Sequence, residues 1–583
     1  MQNRRKARKG TLMRLLGYFK PYRFQLISAI LITIAANMFV LIGPMLSGKA
    51  IDAIGEKPGM VDFPLVFHYC LWMVVFYLAS ALLSFSLNFL ITWIGQRVVV
   101  DLRHELFRKM EHLPVRFFDS NQVGDIVSRF QYDIDTINTS MTNDLVQLAS
   151  SSVLIIGSFS MMLSISPKLV LIFLVTIPLI VKRMQWRIVK FRPIFRERSR
   201  KQGEFNGKVE ELLSASKTIK SYACEDEFLT RFDEKDKEAL DSFYRADYNT
   251  AKLGPTFGLI NNLTLALIGI VGSILYILGG ISLGGLSSFV LYSRKFTGPI
   301  SECANIITEV QSAFSAADRV FRMLDEETEA DDPDNAEVLE EIKGDVDMDD
   351  IDFGYDEKRN IIEGLKLHAR PGELIAIVGP TGAGKSTIMN LLMRFYDPQS
   401  GRIRVDGKEN SSLTRSSLRS SFAMVLQDSW LFEGSIRENI AYGTPEATME
   451  EIENAAIASG ISSYIDSLPD GYDTIITENG GNLSQGQRQM LTIARAMLQK
   501  RKMLILDEAT SNVDTRTEMK IQEAMEKLMK DKTCFVIAHR LSTVRNADEI
   551  IVLNNGLIRE QGSHEELLKL GGTYAELYNS QFK

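Results

Sequence analysis

The sequence predicts a chain of two unlike halves, an α-helical membrane domain with six transmembrane helices and long cytoplasmic extensions, followed by a soluble α/β domain. Long apolar stretches fill residues from about 24 to 310, whereas the remainder alternates short apolar runs with helical patterns. With 583 residues, the chain is long enough for more than one domain. The acidic segment 325–341 separates the halves, so we expect domains at 1–324 and 342–583 joined by a solvated linker.

Six apolar runs are long enough to cross about 30 Å of hydrocarbon. The segments 97–145 and 185–253 between them are long, charged and helical in pattern, and their basic residues place them on the cytoplasmic side. Basic residues before the first run, Arg4, Arg5, Lys6, Arg8 and Lys9, place the N-terminus there too. Six crossings return the chain to its starting side, so we expect the soluble half in the cytoplasm, at the cell membrane. The runs lie near 24–48, 64–94, 146–165, 168–184, 255–280 and 284–310.

Several polar and charged side chains occur within the predicted spans. Such residues face a cavity or another helix, so they either mark a translocation path or bond one helix to its neighbour. For the amides, bonding between helices is the favoured interpretation, and the sequence leaves both alternatives open. The residues are Asn37, Asn88, Gln147, Asn261, Asn262, Arg294, Lys295 and Glu302.

The most specific motif opens the α/β half. It follows the apolar run 374–378 and precedes a helical run, 388–395. Backbone N–H groups of such a glycine-rich loop converge on a phosphate, and the helix N-terminus adds its positive dipole end. Lys385 is expected to reach the β- and γ-phosphates and the Ser386 hydroxyl to hold Mg²⁺, which predicts a nucleoside triphosphate site. The loop consists of Gly379, Pro380, Thr381, Gly382, Ala383, Gly384, Lys385, Ser386 and Thr387.

Two further segments fit the chemistry of triphosphate hydrolysis. Residues 503–508 read as a buried strand that ends in Asp507 and Glu508. Asp507 would orient Mg²⁺ and its waters, and Glu508 would act as the base or orient the attacking water. Residues 482–487 open a helix with a serine and a glycine, which makes a second anion site. Because this second site cannot easily reach the first within one chain, we expect two subunits that sandwich ATP.

Over nearly its whole length the chain resembles an exporter-type half-transporter of the ABC transporter family. The resemblance implies that Tyr355 stacks on adenine and that Gln427 senses Mg²⁺ and the attacking water. It also implies that His539 contacts the γ-phosphate beside Glu508, and that Asp514 belongs to the loop that couples the two sites. The signature residues that would act on the partner's nucleotide are Ser484, Gln485, Gly486 and Gln487. Segments 117–129 and 222–232 match the positions of the family's coupling helices.

The resemblance further implies a working unit of two half-transporters, with ATP and Mg²⁺ as cofactors and membrane lipid and a small-molecule substrate as partners. Gln485 and the pair Asn512-Val513 depart from the commonest family sequences. These variants resemble bacterial subunits that pair with a different half-subunit, so a heterodimer is favoured and a homodimer stays open. Because Glu508 is retained, this chain would be the catalytically competent partner.

The function that the resemblance implies is ATP-driven export of lipophilic or amphipathic compounds by alternating access, of the multidrug type. Export of a peptide or lipid is an alternative, and so is an ATP-gated regulator without pumping, although Glu508 and His539 argue against a binding-only device. Import is formally open, but the outer loops are too short to dock a binding protein easily. The sequence has no basic face with interleaved aromatic residues, so nothing in it indicates nucleic-acid binding. The scattered cysteines fit neither a disulfide framework nor a zinc site; they are Cys70, Cys224, Cys303 and Cys534.

Overall fold

The computed structural model describes residues 10–11, 13–15, 17–55, 61–356, 359–427, 429–477, 480–507, 514–538 and 541–581. The basic residues before position 10 therefore lie outside the described residues. The chain divides into two compact units. The first comprises Met1–Glu111 and Val123–Glu326, and the second comprises His112–Gln122 and Glu327–Lys583.

Long helices make up most of the first unit. Short π-helical turns at Arg129–Asp133 and Ser140–Asp144 flank α5. In chain order, and including α3 of the second unit, the helices up to residue 324 are α1 (Arg23–Ile54), α2 (Phe63–Glu111), α3 (Val115–Ser120), α4 (Val123–Ser128), α5 (Ile134–Thr139), α6 (Leu145–Ile165), α7 (Pro167–Ser214), α8 (Ser216–Ser221), α9 (Glu225–Ala251), α10 (Leu253–Ile277) and α11 (Leu283–Leu324).

Each predicted span lies on one of the long helices, namely α1, α2, α6, α7, α10 and α11. By length and composition, four helical stretches of the described residues could cross a membrane, and a fifth apolar stretch, in α7, is shorter. In α11, Arg294, Lys295 and Glu302 interrupt the apolar run. The membrane domain is therefore established, while the count of six crossings stays a prediction. The four stretches are Met13–Ile54, Phe63–Glu111, Val123–Ile165 and Gly258–Ile277, and the shorter one is Pro167–Pro178.

Helices α1 and α11 approach each other closely at two glycines. A Cβ atom on Gly284 would lie 1.9 Å from the carbonyl oxygen of Gly48, so neither helix has room for a side chain there. Asp52 of α1 accepts hydrogen bonds from the Gly284 N–H at 2.7 Å and from the Ser282 hydroxyl at 2.8 Å. The first of these bonds satisfies one of the first-turn N–H groups of α11, which have no partner within the helix.

A proline in α1 creates a second contact with α11. Pro44 lies inside α1 and lacks a backbone N–H, so the carbonyl oxygen four residues earlier has no helical donor. The buried Tyr292 hydroxyl donates to the Leu41 oxygen at 2.6 Å, and the Ser288 hydroxyl donates to the Pro44 oxygen at 2.8 Å. Two hydroxyls of α11 thus bond to backbone oxygens of α1 near the proline and connect the two helices.

Several of the polar side chains within the predicted spans bond one helix to another. Asn37 of α1 accepts from the Ser150 hydroxyl of α6 at 3.0 Å. The Gln147 amide of α6 donates to the Glu302 carboxylate of α11 at 2.9 Å. Asn261 of α10 accepts from a threonine hydroxyl of α11 at 3.1 Å. For these three amides, the structure agrees with the interpretation that the sequence favoured.

Two sheets and their flanking helices form the second unit. The larger sheet has the order β12-β11-β3-β10-β9-β6 and is parallel except at β12. An antiparallel sheet has the order β2-β1-β4-β5, and β7 pairs with β8. The strands are β1 (Val346–Phe353), β2 (Ile362–Ala369), β3 (Leu374–Val378), β4 (Ser400–Val405), β5 (Lys408–Glu409), β6 (Phe422–Val425), β7 (Gly434–Ser435), β8 (Ile475–Ile476), β9 (Met503–Asp507), β10 (Thr533–Ile537), β11 (Glu549–Asn554) and β12 (Leu557–Gly562).

Helices cover the parallel sheet, whose strands β3, β9 and β10 are almost continuously buried. Parallel strands end at the same edge, so the segments that follow β3, β6, β9 and β10 meet there. The helices are α12 (Lys385–Leu392), α13 (Arg415–Ser421), α14 (Ile436–Ile440), α15 (Met449–Ala458), α16 (Ser462–Ile465), α17 (Gln485–Leu498), α18 (Thr515–Met529), α19 (Leu541–Arg545), α20 (His564–Leu570) and α21 (Thr573–Gln581).

The acidic segment at 325–341 is held to the second unit by ion pairs. Asp332 accepts from the Arg415 guanidinium at 3.0 Å, and Glu329 pairs with the guanidinium of Arg419. The Arg415 side chain is only 10% exposed, so these carboxylates lie against a largely buried cation. Arginines of α13 therefore neutralise these two carboxylates, while most other residues of the segment are exposed. The exact domain boundaries stay a prediction.

An ion pair in the first unit provides a test of its packing. Arg319 of α11 donates to both oxygens of Asp133, at 2.5 and 2.9 Å, and the Asp133 side chain is 4% exposed. We expect Asp133→Ala to lower the free energy of unfolding by about 1–3 kcal/mol, below the cost for a fully buried pair because Arg319 stays 45% exposed.

Thermal unfolding of the detergent-solubilised protein would measure this loss. The matched control is Asp241→Ala, which removes the exposed pair with Arg245 in α9 and should leave the melting temperature nearly unchanged. Equal melting temperatures for the two variants would contradict the structural importance of the Asp133 pair.

Candidate nucleotide site

Strand β3 and helix α12 position the predicted phosphate loop. Two loop residues, Gly382 and Gly384, have left-handed backbone conformations, with φ of 81° and 103°. At Gly379 a Cβ atom would lie 2.2 Å from the Leu553 oxygen of β11, so that position has no room for a side chain. These conformations suit glycine far better than other residues, which is why the loop is glycine-rich.

A cavity of about 450 Å³ lies between this loop and the ends of the neighbouring strands. It brings together most of the predicted nucleotide-binding residues, whereas Gly379, Pro380 and Ala383 do not contribute to its lining. Two lining residues, Ile361 and Ile537, were missed by the sequence analysis because they are ordinary apolar positions in sequence. The predicted residues that line the cavity are Tyr355, Thr381, Gly382, Gly384, Lys385, Ser386, Thr387, Gln427 and Asp507.

The Lys385 ammonium is held inside the loop. Its Nζ donates to the backbone oxygens of Gly379 at 2.8 Å and Pro380 at 3.0 Å. Burial lowers the pKa of Lys385, and the nearby Asp507 carboxylate opposes that shift. Backbone carbonyls are weaker partners for an ammonium than a phosphate oxygen is, so an anion in the cavity can recruit this cation.

Tyr355 lies at one wall of the cavity and is held by its neighbours. Its hydroxyl oxygen accepts from the Asn390 amide at 3.1 Å and lies 3.3 Å from the Thr387 hydroxyl. Its ring packs edge-on against Phe353 and Tyr396, with centroid distances of 5.1 and 5.0 Å. These contacts fix the orientation of the ring that was predicted to stack on adenine.

Tyr396 links this aromatic cluster to α3, which belongs to the same unit. Its hydroxyl donates to the Asp119 carboxylate at 2.6 Å, and burial together with that carboxylate raises the pKa of Tyr396. Arg116 of α3 donates to the backbone oxygen of Tyr355 at 3.4 Å. Sequence reasoning missed Tyr396; its only signal was an aromatic residue shortly after the helix that follows the phosphate loop.

Oxygen donors suited to a hard cation line the same cavity. Asp507 ends strand β9, Gln427 follows β6, and the Ser386 hydroxyl lies in the first turn of α12. Carboxylate, amide and hydroxyl oxygens are ligands that Mg²⁺ accepts, so this set of residues fits the ion. Glu508 and His539, predicted as catalytic, lie outside the described residues, as do Asn512 and Val513.

Asp514, predicted to belong to the coupling loop, caps helix α18. Its carboxylate accepts from the Thr517 N–H at 3.0 Å, and this bond lowers the pKa of Asp514. The capping role follows from general helix chemistry, and it fixes the start of the helix that follows the loop.

The signature segment begins helix α17 with a capping box. The Ser484 hydroxyl accepts from the Gln487 N–H at 3.3 Å, and the Gln487 side chain accepts from the Ser484 N–H at 2.8 Å. Ser484 and Gln485 are exposed, whereas Gly486 is buried. None of the four signature residues, all of which the structure describes, lines the phosphate-loop cavity, so one chain does not bring the two predicted anion sites together.

Comparison with known proteins finds a family match in each of the two units. Residues 26–300 match the family model described as ABC transporter transmembrane region, and residues 362–511 match the model described as ABC transporter. The uncharacterized ABC transporter ATP-binding protein YfiC of Bacillus subtilis is 39% identical over 581 residues, which are 99% of this chain and 95% of that protein. The chain belongs to the ABC transporter family.

Other relatives of this ABC transporter have more specific names. The fatty acid ABC transporter ATP-binding/permease protein of Mycobacterium bovis is 40% identical over 90% of this chain and 83% of its own length. A putative multidrug export protein of Bacillus subtilis and an ATP-dependent lipid A-core flippase of Idiomarina loihiensis are 35% and 34% identical. The structure of a bacterial Atm1-family ABC exporter with ATP bound has a TM-score of 0.76 and 30% identity, and the match covers 96% of this chain and 98% of that one.

The fused transmembrane and ATPase regions make this ABC transporter an exporter-type half-transporter. It is a membrane protein that binds ATP and couples ATP hydrolysis to transport, of the multidrug and lipid-flippase type. These findings confirm the predicted family, fold class and enzymatic activity. The roles of the individual site residues stay predictions.

Lys385→Ala should weaken ATP binding by about 10- to 100-fold, because a charge-assisted hydrogen bond contributes roughly 1.5–3 kcal/mol. Titration with a fluorescent ATP analogue would measure the change in Kd. Lys366→Ala, which removes an exposed lysine of β2, is the matched control and should bind ATP normally. Unchanged ATP affinity of the Lys385 variant would contradict the phosphate-loop assignment.

Tyr355→Ala should weaken ATP binding by about 5- to 100-fold, because loss of stacking on a base costs roughly 1–3 kcal/mol. Tyr355→Phe keeps the ring and loses only the hydroxyl contacts with Asn390 and Thr387, so its Kd should stay within about threefold of the wild type. The same titration compares the two variants. If both bound ATP like the wild type, the ring would have no place in the site.

Proposed function

We propose that this chain is one half of a dimeric exporter that moves lipophilic or amphipathic compounds across the cell membrane by alternating access. The observation that supports the proposal is that one chain contains both an apolar helical unit and a cavity lined by a phosphate loop. The chain also belongs to a family of exporters. The N-terminus and the ATPase unit would lie in the cytoplasm, as the charged segments 97–145 and 185–253 indicate.

The residues of the nucleotide site have distinct proposed roles. Lys385 and the loop N–H groups bind the β- and γ-phosphates, and Tyr355 orients the adenine by stacking. Ser386, Gln427 and Asp507 would hold Mg²⁺, which when bound neutralises phosphate charge. Glu508 orients the attacking water or accepts its proton, and His539 contacts the γ-phosphate.

The position of the signature segment supports a two-chain working unit. Ser484 and Gln485 are exposed at the start of α17, apart from the cavity that holds Lys385. A second subunit that presents the same segment would complete each nucleotide site. We favour a heterodimer because of Gln485 and the Asn512-Val513 pair, with this chain as the competent partner, and a homodimer is the alternative.

Export of a lipid or fatty acid is the second candidate function. Two relatives favour it, a fatty acid transporter and a lipid A-core flippase. Both candidates share one mechanism, since an amphipathic compound and a membrane lipid both enter from an apolar phase. An ATP-gated regulator without pumping is less well supported, because the relatives are exporters.

Glu508→Gln should retain ATP binding and lower ATP turnover by at least about 100-fold, because general base or water-orienting groups contribute roughly 10²–10⁴ in rate. ATPase activity of the purified chain in lipid would measure this change. Glu526→Gln, on the exposed face of α18, is the matched control and should hydrolyse ATP normally. Near-wild-type turnover of the Glu508 variant would overturn its assignment.

The particle mass of the same preparation would test the subunit arrangement. Glutamate-dependent turnover from a particle of two identical chains would establish a homodimer. An inactive preparation that gains activity only with a second, different half-transporter would establish the favoured heterodimer.

A further inference from the structure

A second cavity of about 450 Å³ lies within the first unit, among helices α7, α10 and α11. The segments that line it belong to three predicted spans, so we expect the cavity at membrane depth. Its size falls within the roughly 300–1,000 Å³ typical of small-molecule sites. Among the described residues that line it, Arg294 alone carries a formal charge.

Among the described residues, Arg294 has no counter-ion. No hydrogen bond or ion pair of its side chain is found among the described residues. The carboxylate two turns further along α11, Glu302, is instead bonded to the Gln147 amide of α6 at 2.9 Å. A charged side chain within a membrane span ordinarily faces a cavity and marks a substrate or ion pathway.

The other polar groups of the cavity add hydrogen-bond donors. The Thr297 hydroxyl donates to the Asn261 side-chain oxygen at 3.1 Å, which leaves the NH₂ group of that amide to serve a ligand. The neighbouring Asn262 amide also lines the cavity. With no carboxylate among the described lining residues, the polar part of the wall is suited to an anion.

The rest of the wall is apolar. Phe173, Leu265 and Ile300 line it. Phe173 is buried and packs edge-on against Phe296, with a centroid distance of 5.3 Å, so this side of the cavity belongs to the packed core of the unit. A fixed apolar wall beside a cationic group fits a molecule with an anionic head and a hydrocarbon tail.

We propose that this cavity binds a lipophilic anion, a single-chain carboxylate whose head contacts Arg294 and the Asn261 amide and whose tail lies along Phe173 and Leu265. The inference rests on the proposed export function and narrows its substrate class from lipophilic compounds in general to lipophilic acids.

The test measures binding of fluorescently labelled oleate to the full chain in nanodiscs of zwitterionic lipid, without nucleotide. Arg294→Gln should weaken binding by about tenfold or more, since it removes a charge-assisted hydrogen bond. Arg294→Lys should retain much of the affinity, because the cation remains. The matched control is Lys295→Gln, which removes the adjacent cation that does not line the cavity and should bind oleate normally.

Competition experiments on the wild-type protein test the ligand class without any variant. Unlabelled oleate should displace the probe, whereas oleyl alcohol and oleylamine should compete at least about tenfold less well. Equal competition by the alcohol, or undiminished oleate binding by Arg294→Gln, would overturn the proposal. Nanodiscs that contain phosphatidylglycerol distinguish a free acid from a phospholipid headgroup, and equal competition by that lipid would overturn the assignment of a free carboxylate.

The ATPase assay separates this inference from the function on which it rests. A protein whose Glu508-dependent turnover is stimulated by neutral lipophilic compounds, but which does not bind oleate through Arg294, would remain an exporter and refute the anion site. A protein that binds oleate through Arg294 but shows no Glu508-dependent ATP turnover, either alone or with a second half-transporter, would support the anion site and refute the export mechanism.

Discussion

The nucleotide site depends on the close packing of the loop after β3 against its neighbours. The carbonyl oxygen of Leu553 lies where a Cβ of Gly379 would be, and that of Ile361 lies 3.3 Å from a Cβ built at Gly384. These contacts restrict the path of the loop between β11 and the segment before β2. This path places Lys385 at the start of α12 and its ammonium against the loop carbonyls. The sheet order thus sets the position of the cation.

Much of this site could be predicted because its chemistry is local in sequence. Two motifs predict the same local structure in any fold. One is a glycine loop between a buried strand and a helix, and the other is a serine three residues before a glutamine at a helix start. The lining by Ile361 and Ile537 and the contact between Tyr396 and Asp119 could not be predicted. They depend on which strands and loops become neighbours, and hydrophobic periodicity does not contain that information. The ion pairs that hold the acidic linker were missed for the same reason, since its arginine partners lie some 80 residues away.

In the membrane unit, the positions of the polar residues could be predicted from the sequence, but their contacts could not. The structure separates them into two groups. Asn37, Gln147 and Glu302 bond helix to helix, and the hydroxyls of α11 satisfy carbonyls around the proline of α1. Asn261 both bonds to Thr297 of α11 and lines a cavity, and Arg294 lines the same cavity without a bond to the described residues. The difference comes from which helices are adjacent, because α6 offers an amide to Glu302 and no described neighbour offers a carboxylate to Arg294.

Lys385 and Arg294 line the nucleotide cavity and the membrane-unit cavity, and their surroundings can be compared. Lys385 contacts backbone carbonyls near the Asp507 carboxylate, whereas the described lining at Arg294 consists of amides, two hydroxyls and apolar groups. An arginine at the centre of a span costs roughly 2.5–3.5 kcal/mol on insertion scales, and an internal carboxylate would offset part of that cost. Such a carboxylate would also have to be displaced before an anionic ligand could bind. A cation surrounded by neutral dipoles is less stable alone, but it gains the full attraction of an incoming anion. With no carboxylate among the described residues that line its cavity, Arg294 is therefore better explained by an anionic ligand than by packing.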